Sequence, residues 1–351
     1  MILDHLHKDQ LSRYPGIDIF RGFAIFTMLC ANSAAESLAA PHSFLVRIYG
    51  SFAAPVFVFL AGFMVALGGR KHPASYFVRR GLEIILTGAL IDLFIWRILP
   101  FTTFDVLYLT GFGICLGGFF TKLELPAKIA LTVLLLAAGP VLQLLFYYEP
   151  GVHEFDLTQG FSSLSFPAGW HWWIKSWLFD GWFPVFPWLG LFFAGSLVAT
   201  NGTVILRKRA LFFILGFLLF CGGIAWLYFH RPIEEREGYS ELFYPPGLAY
   251  LAAACGVILC GLSLLPYLNS HPFFRPLRWL GSCSLFIYIL HSALIYFVLD
   301  NYFTELSLKN FLLMYLVFAV VNIACAGILF QLKQQDGWKK VPKVLRFIFG
   351  G

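Results

Sequence analysis

Polar side chains flank the first long apolar stretch of this chain, in a spacing that could support catalysis. Asp18 and Arg21 stand at its start, Asn32 closes it, and His42 follows in the next short connection. Ionisable groups are costly beside hydrocarbon, so Asp, Arg, Asn and His around one membrane span indicate a reaction centre. A histidine that is neutral near physiological pH can act as a general base that takes a proton, or it can act as a nucleophile itself. The sequence leaves both roles open for His42, beside that of a loop histidine that faces water.

A second histidine, His291, falls in the middle of a later apolar stretch. An imidazole buried in a membrane needs a hydrogen-bond partner, which Ser284, Tyr288 or a polar group on a neighbouring helix could supply. A functional residue and a core histidine that joins two helices are both open interpretations of His291. Asp105 and Glu83 are further candidates on the same grounds.

The elements that must position these residues are membrane-spanning helices. Of all residues, 59% are hydrophobic, 19% aromatic and only 13% charged, which is more apolar than a soluble domain can bury. A chain of 351 residues accommodates about ten spans of roughly 20 residues with short connections. The predicted fold is an all-α, polytopic transmembrane bundle in a single domain, residues 1–351. The predicted spans are 17–34, 49–69, 81–99, 103–121, 127–148, 182–199, 210–229, 244–265, 279–298 and 309–331.

The distribution of Lys and Arg predicts the orientation of this bundle. With ten spans and a cytoplasmic N-terminus, both termini are cytoplasmic and the inner connections hold most of the 25 Lys and Arg residues, as the positive-inside rule requires. The net charge of +6 is then a topology signal and gives no indication of nucleic-acid binding. The basic tail, residues 333–351, is expected to lie at the membrane interface.

Several site classes are excluded by the sequence. The seven cysteines lie in apolar stretches without CxxC spacing, which predicts small core residues and no disulfide framework. No pair of histidines with nearby carboxylates suggests a zinc site, so we expect no metal. A Walker loop and a GxGxxG followed by a helix are also missing from the sequence, which argues against the nucleotide-binding folds that need them.

The predicted outer connection 149–181 is rich in tryptophan. An interfacial aromatic belt is the default interpretation, and a stacking platform for a sugar ring is the functional alternative. The charged run 231–237 is predicted to be a solvated loop. We expect four prolines to break helices near a cavity: Pro55, Pro187, Pro245 and Pro246.

Short blocks of sequence follow one another in a distinctive order between residues 13 and 298. They are Arg13, Asp18, Arg21 and Gly22; Asn32 and His42; Ala54 to Gly62; Phe104 to Leu107; Phe186 to Gly190; Tyr244 to Pro246; and Leu280 to His291. In this order they resemble the successive membrane segments of the heparan-α-glucosaminide N-acetyltransferase family and its bacterial relatives. The resemblance also extends to the broader transmembrane acyltransferases.

The resemblance implies transfer of an acetyl group from cytosolic acetyl-CoA to an acceptor on the far side of the membrane, with His42 as the matching membrane-embedded histidine. Asn32 is then expected to orient the imidazole or to donate a hydrogen bond to an oxyanion, and helix capping is its alternative role. Arg21 lies about 16 Å from Asn32 along a continuous helix. We expect Arg21 to bind the phosphates of the donor and Asp18 to hold its side chain, with a purely structural Asp18–Arg21 pair as an equal alternative.

We therefore expect an acyl-CoA-dependent transmembrane O- or N-acetyltransferase whose catalytic residues are His42, Asn32 and His291. A transporter or flippase of a small amphiphile, without covalent chemistry, is the alternative from a different class. The expected partners are the lipid bilayer, acetyl-CoA as acyl donor, and a glycan or similar extracytoplasmic acceptor. The short N-terminus favours a bacterial inner membrane. The acceptor, the acyl chain length, the choice between ping-pong and direct transfer, and the oligomeric state, a homo-oligomer included, stay open.

Overall fold

The computed structural model describes residues 15–69, 71–146, 157, 171–201, 205, 207–230, 236, 238–268 and 271–349. Over these residues the chain is helical, and its only β contacts are two isolated bridges, Leu38 with Leu306 and Arg236 with Tyr239. The predicted all-α class is confirmed. Arg13, the run 231–235 and most of the tryptophan-rich connection, Trp170 included, lie outside the described residues.

The helices follow the predicted apolar stretches. In the first half of the chain they are α1 (Pro15–Ser37), α2 (Phe44–Ser51), α3 (Ala53–Gly68), α4 (Ala74–Ile91), α5 (Val106–Phe120) and α6 (Leu125–Phe146). In the second half they are α7 (His171–Lys175), α8 (Val185–Asn201), α9 (Arg209–His230), α10 (Leu248–Leu268), α11 (Arg275–Ser282), α12 (Ser284–Leu294), α13 (Leu308–Leu332) and α14 (Lys343–Ile348). Short π-helical segments extend α4, α7 and α12, and π turns are frequent at functional sites. These segments are Asp92–Trp96, Ser176–Asp180 and Ile295–Leu299.

Helix length and composition give seven or eight of the predicted ten spans. The seven segments of the described chain that are long and apolar enough are Pro15–Ser37, Phe44–Gly68, Leu125–Phe146, Arg209–His230, Leu248–Leu268, Ser284–Tyr302 and Leu308–Leu332. The bent pair Trp173–Asp180 and Val185–Thr200 adds an eighth if it forms one span. The protein is thus a multi-pass membrane protein.

Two helices fall short of this standard for physical reasons. Helix α4 carries the charged residues Arg79, Arg80 and Glu83. Helix α5 has 15 residues, a length of about 22 Å against a hydrocarbon core of about 30 Å. Both belong to predicted spans, 81–99 and 103–121, so the count of ten and the sides of the termini are not confirmed by helix length and composition.

Close contact between α1 and α11 fixes the start of α1. A Cβ atom added at Gly22 would lie 1.8 Å from the carbonyl oxygen of Leu277, and one added at Gly281 would lie 1.8 Å from that of Asp18. Small residues at membrane helix interfaces allow such close backbone approach. The two glycines therefore hold Asp18 and Arg21 against the start of the ninth predicted span.

The prolines lie near helix breaks. Pro187 follows Phe186, the non-helical residue inside α8, and Pro245 and Pro246 precede α10. Pro55 lies in the first turn of α3, where its missing N–H costs no helical hydrogen bond.

The basic tail packs against the bundle. The Arg80 guanidinium lies 4.0 Å from the centroid of the Phe347 ring. The Phe349 ring is 5.6 Å from that of Phe286 and 6.1 Å from that of Trp338, measured between centroids. Residues of α14 and its flanks thus contact both α4 and α12.

Candidate active site

A cavity of about 230 Å³ opens at the end of the bundle where α1 ends and α3 begins. Its wall combines the last turns of α1, the first turn of α3, the π turn after α4, the start of α5, the connections before α8 and α10, and one face of α12. Pockets that hold drug-sized ligands measure about 300–1,000 Å³. This cavity therefore suits one sugar ring or the end of a pantetheine arm, but not a whole coenzyme A.

The wall of the cavity is acidic. Glu36, Asp92, Asp105 and Glu241 line it, and no Lys, Arg or His is among the described residues that do so. Two of these carboxylates accept a hydrogen bond from a phenol: Tyr108 donates to Asp92 Oδ2, and Tyr288 donates to Asp105 Oδ2 at 2.6 Å. Such a wall favours hydroxyl and amine groups and repels phosphates.

Asn32 and His291 meet at this wall although 259 positions separate them in the sequence. Asn32 lines the cavity, and its Nδ2 lies 3.0 Å from Nε2 of His291, which is 1% exposed. The other ring nitrogen, Nδ1, lies 3.0 Å from the carbonyl oxygen of Ile287. Because a carbonyl only accepts, Nδ1 carries the hydrogen and Nε2 accepts from the Asn32 amide. The polar partner expected for His291 is thus Asn32 on a neighbouring helix.

His42 lies behind the cavity wall. Its Nδ1 is 2.7 Å from Ser240 Oγ, and its Nε2 is 3.1 Å from the carbonyl oxygen of Leu38. The carbonyl again fixes the tautomer, so Nε2 donates and Nδ1 accepts from the serine hydroxyl. The ring is 7% exposed and does not line the cavity, whereas Tyr239 and Glu241, the neighbours of Ser240, do.

Asp18 and Arg21 lie near the other end of α1 and are brought together as predicted. Arg21 Nη1 is 3.4 Å from Asp18 Oδ1 and donates to the carbonyl oxygen of Gly281 at 3.3 Å. Neither residue lines the cavity. A further cation lies at the same end of α1. Lys333, directly after α13, donates from Nζ to the carbonyl oxygen of Ser282, the last residue of α11, at 3.1 Å.

Of the remaining candidates from the sequence, some line the cavity and others lie outside it. Asp105 lines the cavity, whereas Glu83 pairs with Arg79 at 3.7 Å and Arg80 at 3.6 Å outside it. Trp173 and Trp177 of the tryptophan-rich connection do not line the cavity, and Trp177 donates to the carbonyl oxygen of Phe101 at 3.1 Å. Among the described residues, the tryptophans on the cavity wall are Trp96 and Trp182. Within the described residues, no group of three or more His, Cys, Asp and Glu side chains could hold a metal ion.

Three buried charged residues escaped the sequence reasoning, and one of them is Asp92, which lines the cavity and is 3% exposed. Glu241 lines the cavity and is 6% exposed, and Arg47 in α2 is 5% exposed. Burial raises the pKa of Glu241 to about 7, and the nearby charge of Arg47 acts in the opposite direction. One feature of the sequence could have identified Glu241 as a candidate: it lies three residues before Tyr244, which begins the Tyr-Pro-Pro block.

Comparison with known proteins places the sequence in a family. A family model described as heparan-alpha-glucosaminide N-acetyltransferase, catalytic, matches residues 13–213, more than half of the 351-residue chain. The match includes Asp18, Arg21, Asn32 and His42, and it ends before Glu241 and His291. A search of curated proteins finds no match. The order of the sequence blocks and the family match agree, and the chain therefore belongs to the heparan-alpha-glucosaminide N-acetyltransferase catalytic family.

Proposed function

We propose that this protein is a transmembrane acetyltransferase that moves an acetyl group from cytosolic acetyl-CoA to a glycan or similar acceptor on the extracytoplasmic side. Membership in an acetyltransferase family supports the reaction class. The observation that carries the proposal is the Asn32–His291 pair, in which an amide on the wall of an acidic cavity bonds to a buried imidazole that does not itself line the cavity. Buried polar groups of this kind are expensive and therefore functional by default in a membrane protein.

The proposed topology has ten crossings with both termini in the cytoplasm of a bacterial cell, in one domain over residues 1–351. Helices α4 and α5 supply the two crossings beyond those that length and composition give. Arg79 and Arg80 near the start of α4 and Lys122 and Lys128 around the turn from α5 to α6 support this, because these cations lie at the end opposite the cavity. The cavity then faces outward, on the acceptor side.

The donor enters from the opposite end in this proposal. Arg21 binds phosphates of acetyl-CoA, and Asp18 holds the guanidinium in place. The start and the end of α1 are about 16 Å apart between Arg21 and Asn32, a gap that a pantetheine arm can cross. The small volume of the cavity supports this arrangement, because the nucleotide part of the donor must stay outside it.

The proposed chemistry uses Asn32, His291 and His42. The acceptor O–H or N–H attacks the thioester carbonyl, a new C–O or C–N bond forms, the C–S bond breaks, and coenzyme A leaves as the thiol after it gains a proton. Asn32 Nδ2 has two hydrogens, and the one not directed at His291 can donate to the oxyanion of the tetrahedral intermediate. His42 can offer Nδ1 as base or nucleophile when substrate displaces the Ser240 hydroxyl, and Asn32 then stays bonded to His291. His291 can offer Nε2 only when substrate displaces Asn32 from it.

The test uses the full-length protein in liposomes with acetyl-CoA that is radiolabelled on the acetyl group. We expect acetyl transfer or acetyl-CoA hydrolysis, reduced about 10²–10⁴-fold in the variant that lacks the essential histidine. His42→Ala and His291→Ala are compared, and His72→Ala, at an exposed connection residue, is the matched control. Label that crosses the membrane on an intact ligand, without any cleavage of the thioester, would support a transporter and contradict the enzyme.

A further inference from the structure

The carboxyl group of Glu241 is buried, and one of its two oxygens lacks a hydrogen-bond partner among the described residues. The side chain is 6% exposed and lines the cavity. Its Oε2 is buried and has no hydrogen-bond partner among the described residues. An unsatisfied buried oxygen is costly, and in a native structure it calls for an explanation such as a ligand.

The backbone around Glu241 is held firmly. Leu242 N donates to Ser51 Oγ at 2.8 Å, and Ser240 Oγ bonds to His42 at 2.7 Å. Upstream, Tyr239 and Arg236 exchange backbone hydrogen bonds of 2.8 and 2.7 Å. Glu241 is therefore held in a fixed part of the cavity wall, which is how binding sites limit the entropy lost on ligand binding.

The charges around Glu241 favour a ligand that donates hydrogen bonds. Arg47 is the cation whose charge acts on Glu241. The other titratable groups that face the cavity or interact electrostatically with Glu241 lie on several elements. They are Cys30 and Glu36 on α1, Asp92 in the π segment after α4, Asp105 just before α5, Tyr239 and Tyr244 in the same connection as Glu241, Tyr250 on α10 and Tyr288 on α12. Four carboxylates thus surround a space of about 230 Å³, which fits one sugar ring. An ammonium or hydroxyl group is the complementary partner, and a phosphate or carboxylate is not.

We propose that Glu241 is the residue that anchors the acceptor, with its carboxyl group accepting a hydrogen bond from an ammonium or hydroxyl group of a single sugar unit in the cavity. This assignment rests on the proposed acetyltransferase function and adds a specificity-determining residue to it. It predicts that the protein prefers an amino sugar to a neutral sugar and a neutral sugar to a sugar acid.

The experiment measures binding and transfer separately in the full-length protein. D-glucosamine, D-glucose and D-glucuronate are titrated calorimetrically against the wild type and against Glu241→Gln, which keeps the shape and loses the charge. Loss of a hydrogen bond to a charged group corresponds to about a 10- to 100-fold weaker affinity for glucosamine. We expect the acceptor KM to rise in the same proportion and the KM for acetyl-CoA to stay unchanged. Glu83→Gln, which removes a carboxyl paired outside the cavity, should change neither.

The results divide cleanly. Glucosamine binding that is absent in the wild type, or unchanged in Glu241→Gln, overturns the anchor assignment. Glucosamine binding that depends on Glu241 without any cleavage of acetyl-CoA overturns the proposed enzyme and keeps the anchor as a sugar site.

Should Glu241→Gln fail to fold, the wild type still provides a test. Because the folded carboxyl has a pKa of about 7 and an amine with a pKa near 8 stays protonated below that value, glucosamine affinity should fall as the pH is lowered from about 7.5 to 6. An affinity independent of pH over this interval contradicts the assignment.

Discussion

The two ends of α1 carry opposite chemistry. Near its start, Arg21 lies beside Asp18 and donates to the carbonyl of Gly281. Near its end, Asn32 and Glu36 face a cavity whose charged lining residues are carboxylates. A guanidinium attracts phosphates and an acidic wall repels them, so the two ends suit the two halves of a transfer reaction. One helix can thus keep the anionic part of a donor away from the acceptor.

Substitution of Asn32 is expected to have the largest effect at the cavity end of α1. Asn32→Ala removes the amide that bonds His291 and the donor proposed for the oxyanion, and loss of one oxyanion donor costs about 10²–10³-fold in kcat. The KM for acetyl-CoA should change little, because Arg21 is untouched. Steady-state acetyl transfer measures both constants. The matched control is Asn301→Ala, at an exposed asparagine. A variant with normal kcat would show that the amide only caps or packs.

Arg21 tests the other end with the opposite kinetic signature. Arg21→Ala should raise the KM for acetyl-CoA by about tenfold, because a hydrogen bond between charged groups is worth about 1.5–3 kcal/mol. The value of kcat and the affinity for an acceptor sugar should stay near the wild type. Arg21→Lys keeps the charge and should recover part of the affinity.

The control for Arg21 is Arg79→Ala, which removes an arginine that is 71% exposed. Equal effects of Arg79 and Arg21 would indicate a general influence of positive charge. A fall in kcat at constant KM would place Arg21 outside donor binding.

Substitution of Tyr288 tests the cavity end with a smaller expected effect. Tyr288→Phe removes the hydroxyl that donates to Asp105 at 2.6 Å, and one such bond contributes about 0.5–1.5 kcal/mol. The acceptor KM should change by about two- to tenfold, with no change in the KM for acetyl-CoA. Tyr302→Phe, at a residue that is 77% exposed, is the control. A change in the acetyl-CoA KM alone would contradict the division between the two ends.

Much of this division could be predicted from the sequence because it follows one helix. Apolar composition sets the all-α class, and the 3.6-residue period places Asp18 beside Arg21 and puts Asn32 three turns later. His291 in mid-span demanded a polar partner, and the structure supplies Asn32. These inferences depend on local spacing and on the cost of polar groups in hydrocarbon.

The rest depends on tertiary packing that spacing does not contain. Glu241 lies in a connection where a carboxylate is usually solvated. It is buried because α2 and the connection before α2 bond to its two neighbours, Ser51 to Leu242 and His42 to Ser240. The tryptophans of the connection 149–181 were predicted as a group, but the tryptophans that the fold places on the cavity wall, among the described residues, are Trp96 and Trp182, which lie outside that connection. The position of His42 behind that wall has the same origin.

Asp18 offers the finest test of the comparison. Asp18→Asn keeps the size of the side chain and removes the charge that lies 3.4 Å from Arg21. A helical pair three residues apart stabilises by about 0.2–0.5 kcal/mol, and Arg21 keeps its bond to the Gly281 carbonyl. The KM for acetyl-CoA should therefore rise only about twofold, measured beside Arg21→Ala and with Glu83→Gln as the control for a lost helical ion pair. An increase as large as that of Arg21→Ala would make Asp18 essential for holding the guanidinium towards the donor. An unchanged KM, together with lower thermal stability, would assign the pair to the helix start alone.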